Sequence, residues 1–281
     1  MNFNGRPIRA LCTDIDGTLL DSRRELSPKT IEAIQRISSV MPVILASSRM
    51  PAAMRHLQRE LSIETHPLIC YNGGYVVRYN EGMAHVIHSE GIPVEICREV
   101  LKLTKDTSLH LSLYREDQWY APRMDEWTQR EATITKVVPE IMANAEVLDL
   151  WKNEPKGIHK IMIMGDATEI KFIEHSLRQT FSNEIHVYHS KSTYLEIAPK
   201  QISKASALKL LLEKCYAISS MEDVIAFGDN YNDIELIQSV GWGIAVENAR
   251  EEVKIVAKEV TRAAKDDGVA YAIFQHLVKE K

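Results

Sequence analysis

Short apolar runs that stop at small polar clusters alternate along this chain with segments whose apolar residues recur every three or four positions. The runs "IRALCTDID", "PVILASSR", "HPLICYNGG", "DVIAFGDN" and "GWGIAVEN" are continuously apolar before their polar ends, the pattern of strands buried on both faces. The segments "KTIEAIQRISSV", "AAMRHLQREL", "KASALKLLLEKCY", "DIELIQSV" and "AREEVKIVAKEV" carry helical spacing. Ser27 and Pro28 supply an N-cap and a first helical residue for the first of these, and Pro51 opens the second. Strand and helix in alternation predict a parallel sheet covered on both faces, a Rossmann-like α/β core.

Residues 82–190 read differently. Strand patterns ("LHLSLYRE", "HKIMIMG", "EIHVYHS") and helix patterns ("PVEICREVLKLTKD", "ATEIKFIEHSLRQTF") are mixed with denser aromatics and charges. The stretch 122–138, containing "MDEWTQREATITKV", fits neither period. This predicts a second, α+β domain over 82–190, inserted between two halves of the core, 1–81 and 191–281.

Composition narrows the class without naming the chemistry. At 281 residues, 45% hydrophobic and 26% charged, the chain is globular in type and long enough for two cores. Its net charge of −5 comes with no basic block, so no nucleic-acid partner is expected. No apolar run approaches a membrane span, "MNFNGRPIRALC" has no apolar leader core, and the four cysteines stand far apart. The expectation is a cytoplasmic protein with reduced thiols and no membrane partner; oligomeric state is not legible.

The polar ends of the strands carry the chemistry. They are Asp14-Ile15-Asp16-Gly17-Thr18, Ser47-Ser48-Arg49, Asn72-Gly73-Gly74 and Gly228-Asp229-Asn230, the last followed by Asn232 and Asp233. In an open parallel sheet such ends share one edge, where ligands bind. Asp14, Asp16, Asp229 and Asp233 are hard oxygen donors of the type Mg²⁺ prefers. Ser47 and backbone N–H groups at a helix start suit phosphate oxygens, and Lys204 can balance anionic charge. Carboxylates repel a phosphate unless a divalent cation stands between, so Mg²⁺ belongs to the reading. Asp14 then serves as a covalent nucleophile. Asp16, two residues on in a strand and on the same side, moves protons.

Taken singly, these motifs have plainer explanations. "DGT" is turn chemistry, "NGG" before "YVVRY" a hairpin turn, "GDN" a helix cap, and Lys204 a solvated residue at a helix start. His85 with His88, and His186 with His189, lack the further ligands a metal site needs. Trp119, Tyr120, Trp127 and Trp151 are the kind of residues that pack. The order and convergence of the motifs favour function.

From about Ile8 to the C-terminus the chain resembles the haloacid dehalogenase-like (HAD) hydrolases, specifically the Cof-type phosphatases of subclass IIB. "DIDGTLL" resembles the first motif, which implies Asp14 as nucleophile and metal ligand, and Asp16 as acid/base with its backbone carbonyl on Mg²⁺. "ILASSR" matches the second, implying Ser47 on the phosphate with Ile15 and Ser48 beside it; "ISKASALKLL" places Lys204 on the third motif's lysine. "FGDNYNDIEL" matches the fourth, implying Asp229 on the metal, Asn232 near the phosphate and Asp233 in support, with Thr18, Asn72 and Gly73 also supporting. A large cap after the third strand is the subclass layout, as is an inserted 82–190 here. Two positions depart: Ser48 and Ala205 stand where relatives usually carry glycine, which bears on turnover more than on reaction class.

The resemblance implies a Mg²⁺-dependent phosphatase acting on small phosphomonoesters, sugar phosphates in particular, through an aspartyl-phosphate. Its rivals are a phosphotransferase or phosphomutase on the same scaffold, and a non-catalytic phosphosugar sensor. In "LYREDQWYAPR", Arg115, Arg123, Trp119 and Tyr120 are candidates for meeting the leaving group, because mixed cationic and aromatic side chains suit a sugar phosphate.

Overall fold

The computed structural model describes residues 2–3, 6–153 and 157–278. Met1, Asn4 and Gly5, which fall in the N-terminal stretch read above for a leader, lie outside the described residues. The chain forms two compact units. Unit 1 contains residues up to Ser48, Met54–His88 and the chain from Ser203; unit 2 contains Arg49–Ala53 and Ser89–Ile202.

The chain enters unit 1 through β1 (Ala10–Thr13), α1 (Pro28–Ser38), β2 (Val43–Ala46), α2 (Ala52–Leu61) and β3 (Leu68–Cys70). Every residue of β1, β2 and β3 is buried, as their unbroken apolar sequences require. Ser27 caps α1 by accepting a hydrogen bond from Thr30 N–H, and Pro28 opens the helix. A short 3₁₀ turn, Tyr71–Gly73, joins β3 to the antiparallel β4 (Tyr75–Asn80), so "NGG" does form a hairpin turn. β5 (Met83–Ser89) is the edge strand beside β4.

Unit 2 continues as α3 (Val94–Thr104), β6 (His110–Arg115), β7 (Gln118–Ala121), α4 (Glu126–Thr135), β8 (Glu140–Ile141), α5 (Asn144–Leu150), β9 (Lys160–Met164), α6 (Ala167–Thr180), β10 (Ile185–Lys191) and β11 (Tyr194–Pro199). Its sheet has the order β8-β7-β6-β9-β11-β10 and is mostly antiparallel. A core of Leu111, Leu113, Ile161, Ile163, Leu195 and Ile197, with Val100, Val147 and Ile170 from the helices, covers one sheet face. The stretch that fitted neither period is α4. Asp125 caps it, and the residues it buries are Thr128, Glu131 and Thr135.

The chain returns to unit 1 with α7 (Lys204–Tyr216), β12 (Val224–Gly228), α8 (Ile234–Ser239), β13 (Trp242–Val246), α9 (Glu251–Val256), β14 (Glu259–Thr261) and α10 (Gly268–His276). The helical pattern expected across "AREEVKIVAKEV" stops at Val256. Ala257 is extended, and Glu259–Thr261 pairs in parallel with β13. The sheet order is β14-β13-β12-β1-β2-β3-β4-β5, with β1, β2, β3, β12, β13 and β14 parallel. β1 and β12 are therefore central neighbours, although Thr13 and its partner Phe227 lie far apart in sequence. All four cysteines are free; Cys12, Cys70 and Cys97 are buried and Cys215 is half-buried. Among the described residues no helix is long and apolar enough to cross a membrane.

Candidate active site

The carboxyl ends of β1, β2, β3 and β12 bring one set of polar residues together in unit 1. β1 ends at Thr13, so Asp14 and Asp16 lie beyond the strand, and the two-residue alternation expected to put them on one side does not govern them. Asp14 N–H donates to Phe227 O at 3.0 Å, which pins the first acid to the neighbouring strand. The chain then curls around the buried Ile15, whose carbonyl accepts from Leu19 and Leu20 N–H at 3.0 and 3.1 Å. Gly17 has φ +86°, and a Cβ there would overlap the Asp229 carboxylate, so glycine is required on both counts.

Lys204 opens α7 behind a Ser203 cap whose side chain accepts from Ser206 N–H. It is 1% exposed, and its ammonium donates to Asp14 Oδ1 at 2.6 Å and to Asp233 Oδ1 at 2.7 Å. It is thus a buried bridging cation and not a solvated helix-start residue. The other Asp233 oxygen accepts from the N–H groups of Asp229 and Asn230, both at 3.1 Å, folding the loop after β12 around itself. A Cβ on Gly228 would lie 2.5 Å from Asp233 Cβ, so the strand must end in glycine. Thr18 Oγ1 donates to Asp229 Oδ1 at 3.1 Å.

Asp14, Asp229 and Asp233 form one group, each offering an oxygen within 4.8 Å of the others. Burial pushes Asp14 well above the usual carboxylate range; Lys204 opposes this, and Asp233 and Asp229 add to it. Burial, then Asp233, pushes Asp229 up to about 6, against Lys204 and the Thr18 hydrogen bond, with Asp16 adding to the rise. Burial alone would lower Lys204, but Asp14 and Asp233 outweigh it and hold the amine above its ordinary value. When all are ionised, three carboxylates and one ammonium leave a net charge of −2 in a water-poor pocket. The Asp16 carboxylate is outside this group, half-buried, with Arg24 Nη1 at 3.3 Å.

Ser47 is buried at the end of β2, with Ser48 half-buried beside it. Ser47 N–H donates to Ile69 O, and Ser47 O accepts from Asn72 N–H, both at 2.9 Å. Asn232, half-buried, donates from Nδ2 to Asn72 Oδ1 at 2.8 Å. The sequence motifs named both asparagines but contain no sign of this contact, which joins residues 160 positions apart. Gly73 is buried in the same turn.

The four residues named in "LYREDQWYAPR" belong to unit 2. Trp119 and Tyr120 are each 3% exposed: Trp119 stacks on Tyr114 with ring centroids 5.5 Å apart, and Tyr120 meets Trp151 edge-on at 5.3 Å. Both rings pack against aromatic neighbours, the plainer of the two readings given for them above. Arg115 is buried; Arg123 is exposed and pairs with Asp125 at 3.0 Å. Unit 2 also contains a chain that the sequence did not suggest: His110 contacts Asp125 Oδ2 at 2.9 Å and Ser112 Oγ at 2.8 Å. The order is that of orienter, base and nucleophile, but His110 and Ser112 are fully buried, so the chain is structural.

A family model described as haloacid dehalogenase-like hydrolase matches residues 11–273. The chain belongs to this family. A Haemophilus influenzae protein with a provisional phosphatase name is 30% identical to this haloacid dehalogenase-like hydrolase over 264 residues, covering 93% of this chain and 95% of the relative. The pyridoxal phosphate phosphatase of Escherichia coli is 27% identical over 285 residues, covering 96% of this chain and 99% of its own. The crystal structure of a haloacid dehalogenase-like hydrolase from Bacteroides thetaiotaomicron superposes with a TM-score of 0.84 at 29% identity, over 95% of this chain and 99% of that one. The chain is a phosphoric monoester hydrolase of the haloacid dehalogenase-like type.

Proposed function

We propose that this hydrolase is Mg²⁺-dependent and cleaves small phosphomonoesters, sugar phosphates first among them, through a phosphorylated Asp14. The observation that carries the reading is the buried Lys204 bridge between Asp14 and Asp233, with Asp229 close by. Its net anionic charge and all-oxygen donors fit a hard divalent cation, with Asp14, Asp229 and the Asp16 carbonyl as ligands and Asp233 as support. When bound, the ion supplies positive charge that lets phosphate approach carboxylates.

The protein's own groups supply the rest. An Asp14 carboxylate oxygen attacks phosphorus as the bond to the leaving oxygen breaks, and Asp16 gives that oxygen a proton. Asp16, now a carboxylate, takes a proton from water as the water oxygen attacks phosphorus, which frees Asp14 and inorganic phosphate. Lys204, Ser47 and Asn232, with backbone at Ile15 and Ser48, hold phosphate oxygens. Lys204 also fixes the Asp14 carboxylate, and Thr18 orients Asp229. We infer further that the inserted segment, 82–190 in the sequence reading, is a cap domain that selects the leaving group, with Arg115 and Arg123 its candidates.

Phosphate release from p-nitrophenyl phosphate and a panel of sugar phosphates and pyridoxal phosphate tests the proposal, with Mg²⁺ or chelator, for the wild type and Asp14→Asn. Release that needs the ion and vanishes in the variant is expected. An isomeric phosphate without inorganic phosphate would point to a mutase, and chelator-resistant release would refute the metal requirement.

A further inference from the structure

We propose that Asn72 is a positioning residue, a strut that sets the spacing between Ser47 and Asn232; this rests on the reading that both hold the phosphate. Two bonds leave Asn72 in different directions. Its backbone N–H reaches Ser47 O after β2, and its side-chain oxygen receives Asn232 Nδ2 after β12. β2 and β12 flank β1 on opposite sides, so these two bonds span the strand that carries Asp14.

The backbone is bent for this purpose. Tyr71, Asn72 and Gly73 have successive φ values of 53°, 57° and 113°. Gly73 tolerates this freely and asparagine tolerates it well, but a tyrosine there is strained. Tyr71 is fully buried, so its packing holds the strained turn in place. A two-residue type I′ hairpin needs positive φ at two positions, whereas the connection between Cys70 and its partner Tyr75 has three in succession, one of them at a tyrosine. Here they turn the Asn72 amide, itself buried, toward the loop after β12. Asn232 sits half-exposed in the 3₁₀ turn Tyr231–Asp233, where its amide would otherwise rotate against water. Accepting one of its two amide N–H bonds fixes the plane of that amide and leaves the other polar positions for a ligand.

Asn72→Gly isolates the strut, because glycine keeps the left-handed backbone and the N–H to Ser47 while removing only the amide. Orthovanadate binding in Mg²⁺, measured by calorimetry, and KM for p-nitrophenyl phosphate are compared in wild type, Asn72→Gly, Asn232→Ala and the double variant. Asn72→Gly is expected to weaken vanadate binding and raise KM about tenfold, the worth of one well-placed hydrogen bond, with a smaller change in kcat. In the Asn232→Ala background the same substitution should change neither quantity further. An equal loss in both backgrounds, or none in either, overturns the strut while leaving the phosphatase reading intact. A wild type that neither binds vanadate nor turns over refutes that reading and the strut together.

Discussion

Lys204 is the residue on which the site depends most heavily. An ammonium 1% exposed is stable only because two carboxylates face it at 2.6 and 2.7 Å. Lys204→Met keeps most of the volume and removes the charge, leaving Asp14 and Asp233 buried against each other. Breaking a buried pair in this way should cost about 3–5 kcal/mol, read from urea unfolding, and abolish turnover. An unchanged unfolding midpoint would mean that the bridge is not formed in solution. At this scale the sequence was informative about what stands at the end of each strand, because "DIDGT" and "GDNYND" place their acids within a few residues of a strand end. It was silent on the Asn72–Asn232 contact and the Arg24–Asp16 pair, which depend on how distant loops approach each other. For Lys204 the residue alone suggested a solvated cation; only its position between two strands' carboxylates explains why it is buried.

At the level of elements, the legible ones were those whose burial follows a period. β1, β2, β3 and β12 are buried at every position, so an unbroken apolar run identifies each. α4 resisted because what it buries is polar, Thr128, Glu131 and Thr135, and a helix with a polar inner face has no apolar period to detect. Its cap ties it to the His110 chain, since Asp125 receives both Thr128 N–H and the His110 ring. Burial pulls His110 below its ordinary value, with Asp125 opposing and Arg123 reinforcing the fall. At this site the folded state therefore holds less proton than the unfolded chain as pH drops through about 6.5, and the stability this histidine contributes above that value is lost as pH falls. Burial depresses His66 likewise, so it adds a loss of the same sign. Between about pH 7.5 and 5 the raised Asp14 and Asp229 carboxyls act with the opposite sign, since the folded state takes up protons there before the unfolded chain does. The test is therefore a difference: in thermal melts over this range His110→Asn should lose less Tm, or gain more, on acidification than the wild type, with the His66 share left in both. An identical slope in the variant would rule out His110 as a source. The end of α9 was misjudged for a different reason: "VAKEV" has helical spacing, but pairing with β13 draws Glu259–Thr261 into the sheet.

Across the whole molecule, the central seam of unit 1 joins the two ends of the chain. β1 has β2 on one side and β12 on the other, and their register pairs Ala10 with Val224 and Thr13 with Phe227. A fragment of residues 1–89 contains β1 to β5 but leaves β1, a central strand, as a bare edge beside an uncovered core. It should therefore show no cooperative thermal transition by circular dichroism, whereas the full chain should; a sharp transition in the fragment would show that the first five strands suffice. Pairings of such sequence separation also favour slow folding. The unequal burial of the four thiols has a practical consequence of its own. Cys12, Cys70 and Cys97 are enclosed, and burial raises the Cys12 and Cys97 thiols further from their reactive form, which leaves Cys215 as the accessible sulfhydryl. The native protein thus has a natural attachment point for a maleimide dye near the far end of the helix that begins at Lys204, while a denatured molecule would take up four.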